Sequence, residues 1–181
     1  MQNPATDNGS GGEKISKTEE PLAADEEEFA EMDQSTFVNT IDLSIVSVIT
    51  QTQSLFEMFD EIPEDQIFTA DELDQIAIKV DLIKDLIYEA EEQMEVYYFL
   101  YGKDQNEFIS FLYQVEEDLN AELFTMISLS DLIQNSEISP EEVSSSLLNA
   151  VKGMNNQFEN LKMKQDKFLA TFEISASQEE G

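Results

Sequence analysis

From Phe37 to Phe172 the apolar residues of this chain recur mostly in steps of three and four, and the segments carrying them open with helix-capping residues. That spacing gathers the apolar groups on one stripe of a 3.6-residue period, which a half-buried strand with its strict alternation cannot do. The chain is therefore predicted to be all-α.

Four helical segments follow from the pattern. The first covers about Ser35 to Asp60, with Phe37, Ile41, Ile45, Val48, Ile49, Thr52, Phe56 and Phe59 on its stripe. The second opens at Thr69, where Thr69 and Glu72 have the spacing of a capping box and Phe68 and Leu73 that of a hydrophobic staple, and it closes at Gly102. Asp104 and Glu107 form the next capping pair, ahead of a stripe from Phe108 to Ile133. The last opens at Ser139 with Pro140 in the first helical turn, and its stripe from Val143 to Phe172 reads as one long helix. Short connections force neighbouring helices antiparallel. The expected fold is an elongated four-helix bundle, or coiled-coil-like helical hairpins, over residues 35–174. Residues 1–34 are expected to be a disordered acidic N-terminal tail, and residues 175–181 a flexible C-terminus. A narrow apolar seam must be covered by neighbours in the chain or by a second copy, so a homo-oligomer is the other way to satisfy the stripes.

Chemistry is constrained by what the chain omits. Forty acidic residues face nine basic ones, all lysine, and histidine, cysteine, arginine and tryptophan are absent. Without imidazole, thiol or guanidinium the chain lacks the usual proton shuttle, the soft metal ligand and the bidentate anion clamp. It is expected not to be an enzyme and to need no cofactor. Asp60, Glu61, Glu64 and Asp65 lack the glycine and the alternating oxygen ligands of a calcium loop, so no metal site is expected. Ser144, Ser145 and Ser146 read as a polar helix face, and the carboxylates in general as solvated ones.

The charge of −31 is uneven: residues 34–149 carry three lysines against 25 acids, whereas residues 150–181 carry four against five. Such a field repels nucleic acid and anionic headgroups. The partner is expected to be a protein of basic character, with no nucleic acid and no membrane bound. No apolar run is long enough to span a bilayer and none near Met1 reads as a secretory core, so cytoplasmic residence is the expectation.

The positive signal is the run Tyr97, Tyr98, Phe99, Leu100, Tyr101, followed by Phe108, Phe111 and Tyr113. Five successive helical residues sweep about 400°, so they cannot all enter one core. With Tyr97 and Tyr101 on the seam, Tyr98, Phe99, Ile109 and Tyr113 fall off it and form the expected partner-binding patch, joined by Leu22 and Phe29 from the tail. The alternative is that the first helix or the tail covers these rings. The function expected is a non-enzymatic protein-protein interaction module, such as an adaptor, assembly chaperone or scaffold. The competing reading is a nucleic-acid mimic that inhibits a DNA-binding protein through the row Asp81, Asp85, Glu89 and Glu92. A second feature is the first helix, where Asp42 is the only charge between Phe37 and Phe56; its uncharged polar face is expected to make contact on more than one side, as a central bundle helix with close neighbours or, alternatively, as an oligomerisation surface.

Overall fold

The computed structural model describes residues 31–103, 105–179 and 181 of the chain. Among these there is no strand, and six helical segments form four arms: α1 (Gln34–Phe59), α2 (Ala70–Tyr101), α3 (Glu107–Gln134), and a fourth arm built from α4 (Pro140–Gly153), α5 (Asn155–Asp166) and α6 (Phe168–Glu179). α1 packs on α2, α2 on α3, α3 on the fourth arm, and the fourth arm closes against α1. The arms thus run up, down, up and down around one core, as the sequence pattern predicts.

Local chemistry sets most of the helix ends. The Thr69 hydroxyl accepts from the Glu72 N–H (3.3 Å) and the Glu72 carboxylate accepts from the Thr69 N–H (2.7 Å), which closes the capping box. Ser139 accepts from the Glu142 N–H (3.2 Å), with Pro140 in the first turn as expected. The start of α3 differs. Asn106, not Asp104, is its N-cap and accepts from the Ile109 N–H at 2.8 Å, so the helix begins at Glu107; Asp104 lies outside the described residues.

The fourth arm corrects the expectation of one continuous helix. At Met154 and Lys167 the backbone tightens, and each N–H bonds three residues back, to Val151 O (3.2 Å) and Lys164 O (3.1 Å). Because both residues keep right-handed dihedrals the stripe continues through the joints, and so the pattern could not reveal them. α6 runs to Glu179 with Ser175 buried, past Phe172, where the predicted stripe ends.

Where the four arms come together at one end, the core is aromatic. Tyr97 on α2 meets Phe37 on α1 (5.7 Å between ring centroids) and Phe108 on α3 (5.8 Å), and Phe108 meets Phe168 (5.4 Å) and Phe172 (5.1 Å) on α6. All four contacts are edge-to-face, the arrangement favoured by the ring quadrupoles. Gln34 donates to the Tyr97 hydroxyl at 2.9 Å, so the buried phenol is not left without a partner. The far end is built from Phe59 against Phe68 (5.6 Å) and Phe56 against Phe158 (4.9 Å). There Ser144 departs from the exposed face read for it: it is buried, accepts from the Phe68 N–H at 2.9 Å and donates to Pro140 O at 2.7 Å.

Two glycines test the packing. A Cβ at Gly153 meets nothing within 4 Å, whereas one at Gly102 would collide with the Tyr98 carbonyl oxygen. Gly153→Ala is expected to stabilise the chain by about 0.5–1 kcal/mol in urea unfolding, and Gly102→Ala to destabilise it. The reverse order would contradict the described joints.

Candidate functional site: an acidic groove walled by tyrosines

The helical step that puts Tyr97 in the core turns Tyr98 toward α3. Its ring stacks on Tyr113 (4.7 Å between centroids, 17° between planes), and its hydroxyl donates to Glu116 Oε2 at 3.0 Å. Burial, and then the Glu116 charge beside it, hold the Tyr98 phenol well above its ordinary range, so it stays a hydrogen-bond donor. The next residue, Phe99, is 63% exposed, and Tyr113 is 49% exposed.

The stacked pair stands at one end of a groove of about 590 Å³ between α2 and α3, lined by Tyr88, Glu91, Glu92, Glu95 and Tyr98 from α2 and by Glu116 and Asn120 from α3. Glu91 holds the most telling atom. Its Oε1 is shielded from solvent and accepts no hydrogen bond, and burial followed by the Glu116 charge raises its pKa. Two carboxylates that repel each other across a groove, one with an unused oxygen, form an environment that a cationic group would relieve. The tyrosine faces favour the same group through their ring quadrupoles.

Several expected site residues are placed differently. Tyr98, Phe99 and Tyr113 gather at the end of the α2–α3 seam, but Ile109 is 1% exposed and belongs to the core, because it lies only one helical step from Phe108 and three residues from Leu112, on the edge of a buried face wider than the stripe. Leu22 and Phe29 lie outside the described residues. Tyr101 and Phe111 pack against the core, and the cover over Phe108 and Phe111 comes from Phe168 and Phe172 of the fourth arm. Glu91, Glu95 and Glu116 were not singled out in the sequence, although Tyr88, Glu91, Glu95 and Tyr98 already repeat in steps of three and four beside the core stripe of α2. Among the described residues no three carboxylates are grouped as a metal site, and no helix is long and apolar enough to cross a membrane. A second depression, about 550 Å³, lies between α1, α4 and α5 over Phe56 and Phe158; its rim mixes Lys152 with Asp60 and Glu159 and so lacks a field of one sign.

Two acids also depart from the solvated faces expected for them. Asp42 is buried on α1 and accepts from Gln165 Nε2 at 3.2 Å; burial raises its pKa and that bond opposes the rise. Glu122 on α3 is only 2% exposed. It accepts from the Thr52 hydroxyl of α1, across the diagonal of the bundle, while its Oε2 has no hydrogen-bond partner. Nearby, Lys164 of α5 pairs with Asp118 at 2.6 Å and donates to Gln114 O at 3.1 Å, tying the fourth arm to α3.

In comparisons with known proteins, no family model, no curated protein and no solved structure matches this chain.

Burial pushes Glu122 up to about 7 from an ordinary value of 4.5, with the Thr52 hydrogen bond opposing and the Asp118 charge adding. The folded chain therefore holds this proton more tightly than the unfolded one. The stability it confers is full below about pH 4.5, falls as pH rises to about 7, and is flat beyond, a loss on the order of 3 kcal/mol. Glu122→Gln keeps the acceptor for Thr52 and is expected to be more stable than wild type at pH 8. It should also show a much shallower slope between pH 5 and 7, with Asp42 and Glu91 supplying the remainder. Urea midpoints across that range check this; an unchanged slope would refute it.

Proposed function

We propose that this chain is a non-enzymatic protein-docking module whose α2–α3 groove receives a lysine- or arginine-bearing segment of a protein partner. The observation that carries this reading is the gathering of Glu91, Glu92, Glu95 and Glu116 along one groove with tyrosine walls, where Glu91 lies in the field of Glu116. A cation entering there gains two carboxylates and displaces little, since the Tyr98 hydroxyl is already committed to Glu116. Phe99 and Tyr113, exposed at the groove's end, provide the aromatic contact area that anchors protein interfaces, and the acidic surface steers a basic partner toward it. The roles of adaptor, assembly chaperone or scaffold all fit such a module.

The mimic reading draws on Asp81, Asp85, Glu89 and Glu92, all of which are exposed on α2. Asp81 is paired with Lys84 at 2.8 Å, which interrupts the row of charge and favours the groove over mimicry.

A fluorescently labelled lysine-rich peptide separates these readings. Glu91→Gln with Glu116→Gln is expected to weaken its binding about tenfold or more, while Asp71→Asn with Asp74→Asn, which removes the same charge elsewhere on α2, should change it less than about twofold. Equal losses would mean that only net charge is read. Loss confined to amide variants of Asp81, Asp85 and Glu89, the part of that row outside the groove, would favour the mimic. Phe99→Ser with Tyr113→Ser should also weaken binding, and that part of the loss should persist at high salt.

A further inference from the structure

On a chain of charge −31, a second copy can approach closely only where carboxylates are withdrawn from the contact, because charges within about 8 Å of one another are poorly screened at physiological salt. α1 offers such a face. Between Gln34 and Phe56 its one acid is Asp42, which is turned into the core and bonded to Gln165. The outward stripe is Asn39, Leu43, Val46, Thr50 and Gln53, with Leu43 65% exposed.

The polar groups of this face are turned back on their own helix. Asn39 Nδ2 donates to Ser35 O (2.9 Å), Ser47 to Leu43 O (2.9 Å) and Thr50 to Val46 O (2.8 Å). The Ser47 and Thr50 hydroxyls and one of the two Asn39 amide N–H groups are thus already engaged, so an uncharged cover over this face strands few donors. The uncharged length is about 33 Å at roughly 1.5 Å per residue. Among the described residues the outer face of α3 is a rival, with Phe124 73% exposed, but Glu117 and Asp118 on one side and Asp131 on the other confine it to about 18 Å.

We infer that the α1 face is a self-association surface, on which a second copy of this chain seats its own α1 in an antiparallel, two-fold contact centred near Val46 and Ser47. Charge selects this occupant. A basic partner gains nothing on an uncharged face and is drawn to α2 and α3, whereas an equally acidic chain is repelled least here. The antiparallel setting places Asp33, Glu57 and Asp60 at the two ends, away from the centre, and the small Ser47 and Thr50 side chains let the helices approach. A contact along one helix face falls below the roughly 1,200 Å² of a standard stable interface, so the dimer is weak and forms in the upper micromolar range. The α2–α3 groove of each copy stays uncovered.

Sedimentation equilibrium from about 10 µM to about 1 mM, in low and high salt, is the test. The expected result is a monomer–dimer equilibrium that tightens as salt rises, because salt screens the repulsion opposing it. Leu43→Glu with Thr50→Glu is expected to remain monomeric with an unchanged circular dichroism melt, and Phe124→Glu to dimerise like wild type. Ser47→Cys, in a chain without other cysteines, is expected to form a disulfide-linked dimer under mild oxidation much faster than Gln75→Cys on α2. A monomer under every condition, a dimer that loosens with salt, one that survives the α1 charges or one abolished by Phe124→Glu would each overturn the inference. Equal oxidation rates for the two cysteine variants would do the same.

Discussion

The edge-to-face layer of Phe37, Tyr97, Phe108 and Phe168 is the contact on which the rest of the molecule depends, because it fixes all four arms at one level. Edge-to-face rings tolerate little sliding, since displacement loses both contact area and quadrupole alignment. Once Tyr97 is seated, the helical step of about 100° sends Tyr98 to the α3 side and Phe99 outward. The groove is thus a by-product of core registry. Its tyrosine wall stands where it does because the preceding residue is buried.

The charges are divided between the faces of this frame. α2 and α3 carry most of the acids of the bundle, whereas α1 is nearly uncharged and the fourth arm carries four of the nine lysines. Lys164 is used structurally, against Asp118 and Gln114 O, and Lys152 reaches Glu64 in the α1–α2 connection at 3.1 Å. The outcome is an acidic side on α2 and α3 and an α1 with few charges of its own.

The core also tolerates acids that an apolar stripe does not require. Glu122 and Asp42 each meet a polar side chain from another arm, Thr52 and Gln165. Each pairing joins elements far apart in sequence, which limits register slip, although a carboxyl group in such a place is costly when ionised. Thr52 fell on the stripe of α1 because of its position, and its hydroxyl is what meets Glu122 there.

The sequence by itself determined the all-α fold, the order of the four arms and the caps at Thr69 and Ser139, since periodicity and capping are interactions between residues a few positions apart. It also determined that Tyr97 to Tyr101 could not share one core. Only the tertiary structure decided which rings remained outside, that Ile109 turned inward, that Ser144 and Glu122 were buried, and that Glu91 and Glu116 faced each other. It also decided the joints at Met154 and Lys167, where the stripe is unbroken. Those outcomes depend on which distant surface covers each residue, and a helical pattern specifies the stripe but not what lies against it.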